Sequence, residues 1–142
     1  MNQHIILWAD DDAEDRCFMN EALKTAKESF LIVEAVNGQE ALSFLNGVKN
    51  TSSIPCLIIL DLNMPLINGR EVLTFLKSDS NLDHIPVVVF TSSASDADKE
   101  FCEKYSVRMI TKPSTEKQFV GALTEMITLS TVIRKNDYPK TA

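Results

Sequence analysis

The chain lacks the features that mark membrane-spanning, secreted and repetitive proteins. Its apolar runs are far shorter than the roughly 20 residues that cross a bilayer. Its first residues do not form the charged-then-apolar pattern of a signal peptide. It contains no internal repeat and no low-complexity segment. These absences predict a soluble, cytoplasmic protein.

Cysteine is scarce, and its placement argues against a disulfide framework. The 3 cysteines are odd in number, widely spaced and embedded in apolar patterns, at Cys17, Cys56 and Cys102. This pattern favours buried thiols over disulfides or a metal site. It therefore points to a reducing compartment.

Clusters of basic residues are also missing. The chain has 20 acidic against 14 basic residues, which gives a net charge of -6. Binding to a phosphate backbone depends on basic contacts. Nucleic acid is therefore not expected as a direct partner.

Short β-rich runs alternate with stretches that have helical spacing of apolar residues. With 142 residues and 44% hydrophobic composition, the chain has room for one domain with a real core. The alternation predicts an α/β fold with a parallel sheet covered by helices on both faces. The predicted strands cover residues 5–9, 30–36, 56–60, 86–91 and 107–111.

Two helix boundaries and a tail can also be predicted. The fourth helix should begin at Ser95, with Asp98 in capping-box position. The fifth helix should follow Pro113. We expect a domain over residues 1–133 and a polar tail over 134–142, which is too short for an effector domain.

Short polar residues or a long cation follow four of the five predicted strands. In an open parallel sheet, ligands bind outside the carboxyl ends of the strands. Taken singly, each residue has a plainer interpretation as a helix cap, a turn residue or a solvated lysine. Together they indicate a site made of Asp10 and Asp11 after the first strand, Asp61 after the third, Thr91 and Ser92 at the end of the fourth, and Lys112 after the fifth.

The three aspartates of this set suggest a cation. Like charges repel at close range, so Asp10, Asp11 and Asp61 would be costly neighbours without one. Mg²⁺ typically takes one or two carboxylates, keeps several waters and leaves room for a phosphate. A metal with one lysine would also supply the positive charge that phosphoryl transfer needs.

The sequence resembles the receiver domain of two-component response regulators over roughly residues 4–128. Four motifs carry the resemblance: the acidic pair after strand one, "LDLNMPLINGREVL" around Asp61, "FTSS" at Thr91, and "KP" at Lys112. The intervals of thirty residues from Asp61 to Thr91 and twenty-one from Thr91 to Lys112 are similar to those of the family. A finer similarity is to stand-alone receivers associated with phytochrome-like kinases.

The resemblance implies a flavodoxin-like strand order of 2-1-3-4-5 and a role for each site residue. Asp61 would accept a phosphoryl group from a phosphohistidine. Asp11 would bind Mg²⁺ directly, Asp10 through water, and Asn63 through its backbone carbonyl. The Thr91 hydroxyl and the Lys112 ammonium group would contact the phosphoryl group.

The resemblance also implies roles for the loops and for the conformational switch. Pro65 and Gly69 would shape the loop behind Asp61, and a cis peptide bond before Pro113 would aim Lys112 into the site. The family usually has Tyr or Phe three residues before the lysine, where this chain has Met109. Thr91 movement is still expected, but a flexible methionine weakens the aromatic half of the switch.

The triple aspartate leaves two possible registers for the acidic pair. Asp10 with Asp11 is the preferred pair, because the family places its first acid directly after the apolar run. Asp12 then lies at the start of the first helix, where its charge favours the helix dipole. It is interpreted as a capping residue.

The resemblance implies a stand-alone signalling protein rather than an enzyme. Its partners would be a sensor histidine kinase or histidine phosphotransfer protein and a downstream protein target, with no membrane or nucleic acid, and it would be a monomer or weak homodimer. One alternative is a phosphohydrolase, suggested by the spacing of Asp10 and Asp12 and by a strand that ends in threonine. Another is a degenerate receiver that binds partners without phosphorylation.

Overall fold

Five strands pair into one parallel sheet in the computed structural model, which describes residues 4–24 and 30–137. The strand order is β2-β1-β3-β4-β5, so the predicted fold and order are confirmed. Each strand lies within one residue of its predicted bounds at either end. The strands are His4–Ala9 (β1), Phe30–Ala35 (β2), Leu57–Leu60 (β3), Val87–Thr91 (β4) and Arg108–Thr111 (β5).

A helix follows each strand, and these helices cover both faces of the sheet. They are Ala13–Lys24 (α1), Gly38–Val48 (α2), Gly69–Ser78 (α3), Asp96–Lys104 (α4) and Glu116–Asp137 (α5). The α5 helix continues past Arg134, where the polar tail was predicted to begin. The rest of that predicted tail, from residue 138, lies outside the described residues.

The sheet separates two apolar layers, because successive residues of each strand point to opposite faces. Leu7 of β1 packs in the layer under α2, α3 and α4. Its neighbour Trp8 packs in the layer under α1 and α5. All four residues of β3 are buried, as expected of a central strand with helices on both sides.

Two of the side-chain caps at the starts of helices test predictions made from the sequence. Ser95 Oγ accepts the Asp98 N–H at 3.2 Å, which confirms the predicted start of α4. Asp12 Oδ1 accepts the Glu14 N–H at 2.9 Å and the Asp15 N–H at 3.4 Å. Asp12 is therefore the cap of α1, as the preferred register predicts.

The prediction of three buried thiols was wrong for two of them. Cys102 is buried, Cys56 is partly buried and Cys17 is exposed, and none forms a disulfide. Cys17 is exposed because α1 turns Asp15, Met19 and Ala22 inward, which leaves Cys17 on the opposite side of the helix.

Throughout residues 4–24 and 30–137, no helix combines the length and apolar character that crossing a bilayer requires.

Candidate functional site

Backbone hydrogen bonds between neighbouring strands bring three of the predicted site residues to one edge of the sheet. The Asp10 N–H donates to Ala35 O at 3.0 Å, and the Asp61 N–H donates to Ala9 O at 2.9 Å. The Lys112 N–H donates to Thr91 O at 2.8 Å. Each residue directly follows its strand, so its side chain lies where the carboxyl ends of the strands meet.

Asp10, Asp11 and Asp61 form a compact group of oxygen donors. One carboxylate oxygen from each lies within 4.8 Å of the others. Asp10 and Asp61 are buried, while Asp11 is exposed. Three anionic oxygens at this separation suit a hard dication such as Mg²⁺. The donor set therefore fits the metal that the sequence predicts.

Lys112 inserts its ammonium group among the acids. Its Nζ lies 2.9 Å from Asp10 Oδ2, 2.7 Å from Asp15 Oδ2 and 2.8 Å from Asp61 Oδ2. Its side chain is only 8% exposed. The buried cation therefore offsets part of the repulsion among the carboxylates.

Burial and charge shift the pKa of two of these groups. Burial raises the pKa of Asp10 to about 7, against the opposing effects of the Asp12 N–H and the Lys112 charge. Burial alone would lower the pKa of Lys112. Its hydrogen bonds to Asp15 and Asp61 and its attraction to the acids outweigh burial and raise that pKa above its ordinary value. Lys112 therefore stays charged, while Asp10 takes up a proton near neutral pH.

Asp15 is the one residue of this cluster that the sequence analysis missed. It lies in the first turn of α1, where an acid is ordinarily explained by the helix dipole. Its position four residues before Met19 and seven before Ala22 puts it on the buried face of the helix. An acid on an otherwise apolar helix face was the signal that could have revealed it.

The two residues predicted to form the switch are not among the partners of the Lys112 ammonium group, although the Thr91 carbonyl oxygen accepts the Lys112 N–H. Thr91 is fully buried at the end of β4, and its Oγ1 accepts the Ser93 N–H at 3.4 Å. Ser93 Oγ in turn donates to Asp98 of α4. Met109 is partly buried and packs against the apolar layer under α2, α3 and α4. Thr91 is thus linked through its own loop to α4.

The loop from β3 to α3 packs tightly behind Asp61. Its Asn63 N–H donates to Asp61 Oδ1 at 3.1 Å, and its Gly69 N–H donates to Leu62 O at 2.9 Å. A Cβ atom on Gly69 would lie 2.1 Å from Asp61 O and 2.7 Å from Leu62 Cα. Pro65 lies in the same loop and is exposed. The close approach at position 69 therefore requires glycine.

We expect Gly69→Ala to lower the free energy of unfolding by about 3 kcal/mol, because the added methyl group must push backbone atoms apart. Gly121→Ala is the matched control, since a Cβ atom there meets nothing within 4 Å. The free energy of unfolding of this control should rise by up to about 1 kcal/mol, because alanine is more favourable than glycine inside a helix. Urea unfolding measures both changes. Equal stability of Gly69→Ala and the wild type would contradict the packing argument.

The predicted cis bond before Pro113 was wrong, because the described chain contains no cis peptide bond. A trans bond is favoured even before proline. Lys112 needs no such bond to reach the site. Its N–H is held by Thr91 O at the end of β4, and its long side chain then spans to the carboxylates.

Comparisons with known proteins agree with this geometry. The family model described as "Response regulator receiver domain" matches residues 6–124. The structure of the phosphorylated cyanobacterial phytochrome response regulator RcpA is 31% identical, with a TM-score of 0.85, and the alignment covers 93% of this chain and 96% of that one. A comparison with curated proteins gives no match.

Two further solved structures have similar sequence identity to this chain. The Mn²⁺-bound form of response regulator Rcp1 is 32% identical with a TM-score of 0.79, and the alignment covers 86% of this chain and 90% of that one. The bacteriophytochrome response regulator AtBRR is 31% identical with a TM-score of 0.67, and the alignment covers 89% of this chain and 94% of that one. The predicted resemblance to response regulator receivers is confirmed, and the similar structures include phytochrome response regulators.

Proposed function

The chain belongs to the response regulator receiver domain family, and from that membership we propose that it accepts a phosphoryl group on Asp61 and signals through the resulting change in shape. The observation that carries the proposal is the buried Asp61 carboxylate, which lies with Asp10 and Asp11 and is paired with Lys112. A nucleophilic oxygen surrounded by cation-binding groups is what phosphoryl transfer requires.

The transfer that we propose is a single displacement at phosphorus. A carboxylate oxygen of Asp61 forms the new O–P bond as the P–N bond of a phosphohistidine on a partner breaks. The imidazole leaves with the electron pair of that bond. Charge on the transferred oxygens must be neutralised during this step. The chain supplies Lys112 for that purpose.

The acidic group would hold Mg²⁺ through Asp11 directly and through Asp10 by way of water, with Asp61 and the Asn63 backbone carbonyl completing the ligands. When bound, the ion would neutralise charge on the phosphoryl oxygens and orient them. The similarity to a response regulator described as Mn²⁺-bound supports a dication at this position. So does the clustering of three carboxylate oxygens within 4.8 Å.

Signalling would then depend on Thr91 and on the loop between β4 and α4, which Thr91 contacts through Ser93. We propose that the Thr91 hydroxyl leaves the Ser93 N–H and donates to a phosphoryl oxygen. Because Ser93 also contacts Asp98 of α4, this movement would change the contacts at the start of that helix. Met109 would fill the space behind Thr91, where a ring would give a sharper two-state change.

Mg²⁺ binding should weaken at mildly acidic pH. The raised pKa of Asp10, about 7, means that a proton competes with the metal below that pH. One competing proton lowers the apparent affinity by up to about tenfold per pH unit, and the affinity should level off above about pH 8. Calorimetric titration with Mg²⁺ at several pH values tests this. Asp10→Asn should flatten the profile, and equal wild-type affinity at about pH 6 and about pH 8 would contradict it.

The alternative functions have less support. A phosphohydrolase would use Asp12, but its Oδ1 accepts two N–H groups of α1 and the residue is exposed. A receiver that only binds partners would not need Asp10, Asp61 and Lys112 assembled in contact.

The direct test of the proposal is labelling of the purified protein with acetyl phosphate. The protein should gain one phosphoryl group in the presence of Mg²⁺ and none after chelation, as read by intact mass. A partner carrying a phosphohistidine, either a histidine kinase or a phosphotransfer protein, should act as donor in the same way. Failure of both donors with Mg²⁺ present would overturn the proposal.

A further inference from the structure

The Lys112 ammonium group has as many acceptors as it has protons. A lysine has three N–H donors, and those of Lys112 go to Asp10, Asp15 and Asp61 at 2.7 to 2.9 Å. Asp10 and Asp61 also belong to the group that could hold a metal. Asp15 does not, and the proposed phosphoryl transfer gives it no task.

Asp15 is nevertheless a buried and paired member of the cluster. Its side chain is only 10% exposed, and its contact with Lys112 is the shortest of the three. Burying a carboxylate is costly unless it is paired. Because an apolar residue would suit this face of α1 beside Met19 and Ala22, the acid at this position needs a reason.

That reason follows from a competition for oxygen atoms. Lys112 donates to Asp10 and Asp61, whose carboxylates a dication would also need. The ammonium group and a dication repel each other at such short range. Asp15 lies outside the metal-binding group, so it gives Lys112 an anion that the metal does not require.

We propose that Asp15 is a positioning residue of the phosphotransfer site. It holds Lys112 beside Asp61 and compensates the charge of the lysine. A dication can then bind among Asp10, Asp11 and Asp61 while Lys112 stays in place. Asp15 acts through Lys112 and touches neither the metal nor the phosphoryl group. The inference rests on the proposed function, which it deepens.

Asp15→Asn tests the proposal, because it keeps the shape of the side chain and removes its charge. We expect the Mg²⁺ concentration for half-maximal binding to rise about tenfold, the scale seen when a partner of a metal site is lost. At saturating Mg²⁺ the variant should still be labelled by acetyl phosphate. Glu14→Gln removes an equal charge from the neighbouring position, which is exposed. It should change the binding by less than about twofold, because solvent and salt screen exposed charges.

A spectroscopic measurement separates positioning from a merely structural role. In Mg²⁺-saturated wild-type protein, the Lys112 ammonium signal should remain visible by NMR, since Asp15 still holds the group out of rapid exchange with water. The signal should disappear in Asp15→Asn and in a second variant, Asp15→Ser. Thermal unfolding in the absence of metal shows whether each variant is folded.

The outcomes distinguish this inference from the function on which it rests. If the wild type is not labelled, the proposed function fails, while Mg²⁺ calorimetry and the Lys112 signal still decide the role of Asp15. If the wild type is labelled and folded Asp15→Asn matches it in Mg²⁺ affinity and in the Lys112 signal, the inference fails. A shift of Glu14→Gln as large as that of Asp15→Asn would also overturn it, because general charge would then explain both.

Discussion

Replacing Asp61 with asparagine is expected to abolish labelling of the protein by acetyl phosphate. The amide keeps the shape of the side chain and its oxygen can still accept a hydrogen bond from Lys112, but it cannot act as the nucleophile. The fold should remain intact, because the substitution also removes one charge from a crowded group of acids. Intact mass spectrometry and thermal unfolding measure the two effects.

Asp83→Asn provides the matched control for this experiment. Asp83 is exposed and lies between α3 and β4, away from the carboxyl edge of the sheet. The control protein should be labelled as fully as the wild type. Labelling of Asp61→Asn at the wild-type level would show that another residue is the acceptor.

The second large effect is expected for Mg²⁺ binding in Asp11→Ala. Loss of a carboxylate that binds the metal directly should weaken binding by at least about a hundredfold, beyond the usual effect of losing an indirect partner. Asp11 is exposed, so the substitution should cost little stability. Calorimetric titration with Mg²⁺ measures the change.

Asp12→Ala separates the two possible registers of the triple aspartate. It should leave Mg²⁺ affinity within about twofold of the wild type, since the Asp12 carboxylate caps α1. It should instead lower the free energy of unfolding by about 1 kcal/mol, the usual effect of losing a cap. If Asp12→Ala weakened Mg²⁺ binding more than Asp11→Ala does, the acidic pair would be shifted by one residue.

The fold could be predicted from sequence because its signals are local and repeated. Continuously apolar runs such as Leu57–Leu60, each followed by a helical pattern, leave a parallel sheet as the natural arrangement. The start of α4 at Ser95 followed from a cap whose partner is three residues away. The end of α5 has no such signal, and the helix runs to Asp137, into the segment predicted to be a polar tail.

The contacts of the site could be predicted only in part. Asp10, Asp61 and Lys112 meet because each directly follows a strand. The rule that ligands bind at the carboxyl ends of parallel strands therefore located them. Asp15 reaches the same place from inside a helix, and its partner Lys112 lies 97 residues away. The helical pattern could show that Asp15 is buried, but no local pattern identifies its partner. The cis bond predicted before Pro113 came from the family resemblance alone, and the bond has the isomer that is intrinsically favoured.

The most direct test of phosphorylation at Asp61 is chemical mapping of the modified residue. The labelled protein is reduced with borohydride, which converts an aspartyl phosphate to homoserine, and is then digested and sequenced by mass spectrometry. The proposed function predicts homoserine at position 61 and at no other aspartate. Homoserine at a different position, or a stable phosphate on a serine or threonine with Asp61 unchanged, would contradict it.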